Sequence, residues 1–298
     1  DPEGIRVSND GKSVFISDEY GPYVYQFDRA TGERVKTFTL PNELAISNVQ
    51  STEAVEIGGN TSGRTTNKGM EGLAITPDGK TLVGIMQAPL LQDTNKVVRI
   101  VTIDVATGAT HEYAYQLTTG SGVSEITAIN DHEFLIDERD GKGLGDNSNA
   151  AAKQIFRIDL TGAQDVTGLS GNLSSNTVSK TLTLDVKDVL VSAGIAAQNI
   201  PAKLEGMTFG EDIVYNNQVL HTLWITNDND FLSIITDSKH PQGFSNTNNF
   251  YLFGFTDQDL KNYVAQDIKP AASVPEPAPL LLSAAGLLGL VLRRRFAK

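Results

Sequence analysis

The chain has 298 residues, is 40% hydrophobic and carries a formal net charge of −12. This size suits a single all-β domain with a sizeable core, and 27 glycines and 11 prolines suit many short strands and turns. The acidic balance argues against a nucleic-acid partner. The sequence has no cysteine, which excludes disulfides and thiolate chemistry, and its four scattered histidines make a zinc site a poor fit.

A short unit recurs four times along the chain. Its clearest copy, residues 67–83, has a glutamate followed by glycine, an apolar segment, a Thr-Pro-Asp-Gly turn and a second apolar segment. Leu73 and Ile75 alternate with small residues, as in a half-buried strand. The glutamates that open the units are 68, 54 and 80 residues apart, and they are Glu3, Glu71, Glu125 and Glu205. Each interval holds one four-stranded sheet and a variable loop, so the repeat predicts a β-propeller.

Turn chemistry and loops complete this prediction. Asp, Thr and Gly at residues 28–32, 104–108 and 159–162 predict the edge hairpin of a blade. The polar segments between the units predict exposed excursions, and they are residues 42–67, 140–152 and 169–179. Residues 186–197 form the one segment predicted to be helical. Because Asp1 already lies inside a unit, without a signal-peptide pattern, we expect an N-terminally incomplete or processed chain.

The C-terminal tail differs from the rest of the chain. We place the propeller in residues 1–269, a linker with Pro-Glu-Pro in 270–277, and a tail in 278–298. The apolar run of 15 residues (278–292) is shorter than the about 20 that a membrane span needs, and three arginines follow it. This order resembles the PEP-CTERM sorting signal. The resemblance implies export, handling by an exosortase-type sorting machinery and cleavage of the tail; an ordinary C-terminal anchor is the alternative.

The candidate chemistry rests on carboxylates. A second polar cluster follows each repeat glutamate, and the first strand of a propeller blade lines the central channel, so these acids converge there. Converging carboxylates repel one another unless a cation lies among them, and oxygen ligands favour Ca²⁺ or Mg²⁺. The sequence therefore predicts a calcium-lined channel. The predicted metal ligands are Glu3, Asp18, Glu19, Glu71, Glu125, Asp137, Glu205, Asp228 and Asp230.

Each motif also has a plain structural interpretation. A Glu-Gly pair at the start of a strand is often turn chemistry, and the Asp-Asn-Asp run at 228–230 is typical of a solvated loop. Recurrence at four positions favours the metal, because turn geometry alone does not select glutamate. Lys68 and Lys203 precede two of the glutamates, and Arg139 lies among acids. These bases either bind a substrate phosphate or pair with their neighbours, and pairing is the simpler interpretation.

The ordered motifs resemble the phytase-like family, also described by an esterase-like activity of phytase. The match covers about residues 1–260, and the segments that carry it are 3–4, 17–20, 67–72, 135–140, 203–206 and 227–231. The resemblance implies a propeller of about six blades, part of which would lie upstream of Asp1, and a hydrolytic activity on phosphate esters or other esters. Gln87 departs from the pattern, standing where an acid would strengthen a metal site.

The mechanism we expect is metal-assisted hydrolysis by this exported propeller. The candidate catalytic residues are Glu71, Glu138, Arg139 and Glu205, with Lys68 and Lys203 as candidate substrate-binding residues. The sequence has no Gly-x-Ser-x-Gly motif, which disfavours an α/β-hydrolase type of serine esterase. Two alternatives stay open: a non-catalytic propeller that binds exopolysaccharide or a partner protein at the cell surface, and a lactonase-like propeller hydrolase.

Overall fold

The computed structural model describes residues 1–270, which form four antiparallel sheets arranged as propeller blades around a channel. The all-β propeller prediction is confirmed. Of the predicted linker and tail, residues 271–298 lie outside the described part. The first two blades are β1 (Pro2–Val7), β2 (Ser13–Asp18), β3 (Tyr23–Asp28) and β4 (Arg34–Phe38), and then β5 (Met70–Ile75), β6 (Thr81–Met86), β7 (Val97–Asp104) and β8 (Thr110–Gln116).

The third and fourth blades complete the described propeller. They are β9 (Gly122–Ala128), β10 (Glu133–Arg139), β11 (Lys153–Asp159) and β12 (Lys180–Asp185), and then β13 (Leu204–Phe209), β14 (Ile213–Tyr215), β15 (Gln218–Asn227) and β18 (Phe250–Phe255). A separate two-stranded ribbon is made of β16 (Ile234–Ile235) and β17 (Phe244–Ser245). The described residues thus form four blades. The expectation of about six blades included chain upstream of Asp1.

The inner strand of each blade runs from the mouth of the channel, where the repeat glutamates lie, to its opposite end, which we call the floor. Alternating apolar side chains of the blades interlock between neighbouring sheets. One apolar core joins blades 1 to 3 through residues such as Phe15, Leu73 and Ile126. A second core joins blades 3 and 4 through residues such as Leu135 and Leu223. These two apolar cores hold the mouth ends of the inner strands together.

The glycine of the repeated Glu-Gly pair sets the spacing between blades. A Cβ atom on Gly4 would lie 2.7 Å from the Leu73 nitrogen, and one on Gly72 would lie 2.8 Å from the Ile126 nitrogen. In both cases the neighbour belongs to the inner strand of the next blade. Glycine is needed here because the two backbones approach more closely than a side chain permits.

Loops and helices depart in part from the sequence predictions. The hairpins at residues 28–32 and 104–108 are confirmed, whereas residues 160–179 leave β11 to cover the edge of β8 before β12 begins. Leu173 and Val178 are buried, so the prediction of an exposed segment at 169–179 is wrong in part. The predicted helix exists as α2 (Val186–Ser192), and the loop at 42–67 contains a second, unpredicted helix, α1 (Glu53–Gly58).

Residues 256–270, which we call the C-terminal strap, cross the floor from blade 4 to blade 1. Tyr263 packs on Phe209 at 4.6 Å between ring centroids. Val264 N donates to the Ile129 carbonyl at 2.8 Å, beneath blade 3. Gln266 Nε2 then donates to the Val7 carbonyl at 2.8 Å. The strap therefore links the two blades at the ends of the described ring. Within residues 1–270, no helix has the length and apolar character of a membrane span.

Replacing Gly72 by alanine tests the close approach of blades 2 and 3. The new Cβ would lie 2.8 Å from the Ile126 nitrogen and 2.9 Å from the Glu125 Cα, so the two strands must separate. We expect the free energy of unfolding, measured with urea, to fall by about 1–3 kcal/mol. Gly58→Ala is the matched control, because nothing lies within 4 Å of its added Cβ. Equal unfolding midpoints for the two variants would contradict this account of the motif.

Candidate metal and substrate site

The channel mouth is an open, strongly acidic cavity of about 740 Å³. Its charged lining comes from the inner strands and the residues just before them, from the loops after the second strands of blades 1 and 4, and from the end of β10. The acids are Asp1, Glu3, Glu19, Glu71, Glu205, Asp228 and Asp230, the bases are Lys68, Arg139 and Lys203, and Glu53 of helix α1 lies at the rim. The structure thus brings most of the sequence-predicted site residues together at one place.

Glu19 and Glu71 form the buried centre of this mouth. Glu19 is 2% exposed and Glu71 is 4% exposed, and each carboxyl group contributes to the shifted pKa of the other. Gln87 Nε2 donates to Glu71 Oε1 at 2.8 Å. Glu19 Oε1 and Glu71 Oε2 are buried and have no hydrogen-bond partner in the structure. Two buried carboxylate oxygens without donors in one cavity are stabilised by a bound proton or a cation.

The pKa values of the mouth acids reflect this crowding. Burial, followed by the charges of Glu19 and Glu3, raises the pKa of Glu71 to about 9. Desolvation, followed by the charges of Glu19 and Glu205, raises the pKa of Glu3 to about 7. Burial likewise raises the pKa of Glu205 above its usual range. The mouth therefore retains protons at neutral pH that a bound cation would displace.

One group of carboxylates has the geometry of a cation site. Asp1, Glu3 and Glu19 each place an oxygen within 4.8 Å of the others, and Glu71 of the adjacent blade lines the same cavity. Oxygen-only donors with no imidazole suit a hard cation such as Ca²⁺. The unpartnered oxygens of Glu19 and Glu71 provide the independent sign that this cluster fits a cation. The predicted ligands Glu3, Glu19 and Glu71 thus lie together.

Basic side chains bound the same mouth on the side of blades 3 and 4. Arg139 forms an ion pair with Glu205, and its Nε donates to Ser124 Oγ. Lys203 Nζ lies 2.5 Å from Asp230 Oδ1 and 3.6 Å from Asp228 Oδ2. The simpler interpretation of Arg139 and Lys203, pairing with adjacent acids, is thus what the structure shows. Asp228 and Asp230 contact lysine rather than the Glu19–Glu71 pair.

Two predicted ligands lie deeper between the blades. Glu125 Oε2 lies 3.0 Å from Arg6, and its Oε1 accepts hydrogen bonds from the backbone nitrogens of Leu73 and Ile126. Glu125 therefore ties blades 1, 2 and 3 together. Asp137 is 1% exposed, neither of its carboxylate oxygens has a partner, and burial raises its pKa to about 7.

Asp18 and Glu138 point elsewhere. Asp18 accepts from the Tyr20 nitrogen at 2.9 Å and pairs with the terminal ammonium group. Glu138 lies between blades 2 and 3, where it accepts from Tyr115 Oη at 2.8 Å and pairs with Lys180 at 2.5 Å. Neither residue lines the mouth cavity, although both remain members of the predicted site.

Sequence reasoning missed the buried support of Glu19. Arg64 Nη1 lies 2.7 Å from Glu56 Oε1, and Arg64 Nε donates to the Tyr20 carbonyl at 2.7 Å. Its positive charge also acts on Glu19. A Cβ on Gly69 would lie 1.8 Å from the Glu19 carbonyl oxygen, so this glycine admits the Glu19 loop. Arg64 lies in a polar loop without periodicity, and no sequence signal marks it as a buried residue.

A groove separates blade 4 from blade 1 and opens into the mouth. Glu3, Glu71 and Glu205 line both the groove and the mouth cavity. Trp224 and Phe250 of blade 4 face the groove, as does Ile5 of blade 1. Ile5 is 57% exposed, whereas Leu73, the equivalent residue of blade 2, is fully buried. The described residues thus leave one face of blade 1 and one of blade 4 uncovered.

The sequence model of the phytase-like family, described as the esterase-like activity of phytase, matches residues 1–231. The chain belongs to this family. The model of the PEP-CTERM protein-sorting motif matches residues 273–295. Both resemblances seen in the sequence are confirmed. This phytase-like protein is therefore exported to the cell surface, where its C-terminal tail anchors it transiently, and the motif implies sorting by an exosortase-type machinery.

Individual similarities are more distant. An uncharacterized secreted protein of Arthroderma benhamiae is 32% identical over 176 residues, which cover 47% of this chain and 34% of that protein. The chain thus spans about a third of this relative. The β-propeller domain of Cps50 (Swd1) from Myceliophteria thermophila has a TM-score of 0.35 at 10% identity, covering 76% of this chain and 51% of that one. A putative 6-phosphogluconolactonase from Bacteroides uniformis has a TM-score of 0.34 at 11% identity, covering 84% and 57%.

The raised pKa of Glu71 predicts a pH-dependent effect of the Glu71→Gln variant on stability. Folding raises this pKa from 4.5 to about 9, so the folded protein binds an extra proton in that window and wild type loses stability as the pH rises. Glutamine cannot ionise. In a chelating buffer, the melting temperature of Glu71→Gln relative to wild type should therefore rise steadily between pH 5 and pH 9.

The exposed residue Glu33 provides the control for this measurement. Glu33→Gln removes the same charge from the surface and should change the melting temperature by a small amount that varies little with pH. A melting-temperature difference between Glu71→Gln and wild type that is flat across the same pH range would contradict the assignment of a buried, proton-retaining carboxyl group.

Proposed function

We propose that the propeller is a calcium-dependent hydrolase of phosphate esters or other esters, active outside the cytoplasm. The observation that carries this proposal is the pair of buried, unpartnered carboxylate oxygens on Glu19 and Glu71, beside Asp1 and Glu3. A stable fold does not place such oxygens together without a compensating charge. Family membership supports the reaction class.

Glu3, Glu19 and Glu71 are the residues that would hold the cation. When bound, Ca²⁺ neutralises an anionic substrate group and makes a water molecule more acidic. Without a cation, the surrounding acids would repel an anionic substrate. A bound cation would therefore allow an acidic cavity to bind such a substrate. Gln87 supports Glu71 by donating to its Oε1, which leaves Oε2 directed at the cation site. Gln87 is thus a positioning residue rather than a missing ligand.

The opposite wall of the mouth would position the substrate. Arg139 is held in place by Glu205 and Ser124, so its guanidinium is oriented before a ligand arrives. Lys203 and the exposed Lys68 lie at the rim, where they would contact an ester's anionic group. Glu205 has a raised pKa and would accept the proton of the attacking water.

Ester turnover with and without calcium tests this proposal. We expect the full chain to hydrolyse an aryl phosphate or an aryl carboxylate ester in calcium, to lose that activity with a chelator and to regain it when calcium is restored. Glu19→Gln/Glu71→Gln should lower turnover by roughly 100-fold or more, because it removes the negative charge that would hold the cation. The double variant Glu33→Gln/Glu211→Gln, which removes two exposed charges, should keep wild-type turnover.

Substrate preference separates the remaining interpretations. Lys203→Ala should raise the KM for the aryl phosphate several-fold and leave the KM for a neutral ester nearly unchanged, because the lysine acts only on an anionic group. Opening of a lactone without phosphate release would favour the lactonase-like alternative. Turnover that does not depend on calcium would overturn the calcium mechanism. No turnover of any of these substrates would overturn the hydrolase proposal and favour the surface-binding propeller.

A further inference from the structure

The C-terminal strap ends on the floor of the propeller, at the opposite end of the channel from the acidic mouth. Lys269 N donates to the Asn9 carbonyl at 2.8 Å, in the turn that follows inner strand β1. Gln266 Nε2 also donates to Asn9 Oδ1 at 2.7 Å. Glu3, by contrast, lies at the mouth end of the same strand. The last described residues are therefore held beneath blade 1 by hydrogen bonds.

We propose that the strap orients the anchored protein, so that its floor faces the membrane that holds the tail and its acidic mouth points away from that membrane. The sorting motif begins at residue 273, three residues after the end of the strap. The anchor therefore leaves the propeller from the floor. This inference depends on the strap and the sorting motif, and it holds whether or not the mouth is catalytic.

Chain length limits the opposite orientation. Only seven residues, 271–277, separate the strap from the apolar run, and their fully extended reach is about 25 Å. Strand β1 has six residues and spans about 20 Å between floor and mouth. Turning the mouth toward the membrane would use nearly all of that reach, whereas a floor-down orientation uses none of it. A connection this short therefore favours the floor-down arrangement.

The strap makes enough contacts with the blades to fix the point at which the chain leaves the floor. Besides its contacts with Asn9, the strap buries Leu260 and packs the ring of Tyr263 against that of His221, with 4.5 Å between ring centroids. His221 in turn joins Asp212 of the blade at 2.9 Å and Asp257 of the strap at 2.8 Å. Arg157 of blade 3 donates to the Lys261 carbonyl at 3.0 Å. These contacts come from three blades, so the exit cannot drift without breaking several of them.

Energy transfer between the propeller and a lipid surface tests this orientation, and the lack of native cysteine permits labelling at single sites. Ser51→Cys places a fluorophore at the mouth, and Ala30→Cys places one on the floor turn of blade 1. Both substitutions are at exposed positions and nearly isosteric. The full chain would be inserted through its tail into phosphatidylcholine–phosphatidylglycerol vesicles that carry a rhodamine head-group lipid as acceptor.

We expect the floor label to show at least twofold more energy transfer to the lipid acceptor than the mouth label. Equal transfer, or greater transfer from the mouth, would overturn the proposal. A 12-residue Gly-Ser insert after Pro270 is the second arm, because it frees the exit from the short linker. The difference between the labels should shrink with this insert, and an undiminished difference would show that the strap does not set the orientation.

Discussion

Mutual repulsion of the carboxylates at the channel mouth is the constraint on which the rest of the structure depends. Four repeat units each bring a glutamate to the start of an inner strand, and burial of Glu71 and Glu125 limits the screening of their charges by water. The groups that surround the carboxylate differ from one repeat glutamate to the next. Glu125 pairs with Arg6 and Glu205 pairs with Arg139, whereas Glu71, like Glu19, has a buried oxygen without a hydrogen-bond partner. Glu125 and Glu205 thus stabilise the ring, and Glu71 is the repeat glutamate at which we propose a bound cation.

The same Glu-Gly dipeptide contributes both to blade packing and to the acidic site. In blades 1 and 2 the glutamate enters the channel while the adjacent glycine receives the inner strand of the next blade. This coupling means that the mouth geometry depends on the spacing of the whole ring. The C-terminal strap completes the arrangement from the other end, where it joins blades 4, 3 and 1 beneath the channel. The acidic mouth is thus the open end of a channel whose floor is crossed by the strap.

The repeat made the fold and the convergence of the acids predictable, because the period-2 pattern and the turn residues are local signals. The contacts that each acidic side chain makes could not be predicted in the same way. Asp137 and Glu138 are neighbours, so in a strand they point to opposite faces, and an irregularity in the pairing of β9 with β10 falls between them. Glu138 consequently meets Lys180 and Tyr115 rather than the channel. Arg64 and helix α1 lie in a loop whose order comes from distant contacts, which no sequence window contains.

Calorimetric titration of the full chain with calcium, in mild detergent at pH 7.5, tests the central claim most directly. Wild type should bind one calcium ion at the mouth and release protons as it does so, because the ion displaces those held by Glu71 and Glu3. The Glu19→Gln/Glu71→Gln variant should lose this binding, and Glu33→Gln/Glu211→Gln should retain it. Absence of binding by wild type, or equal binding by all three proteins, would contradict the assignment of a cation to the buried carboxylates.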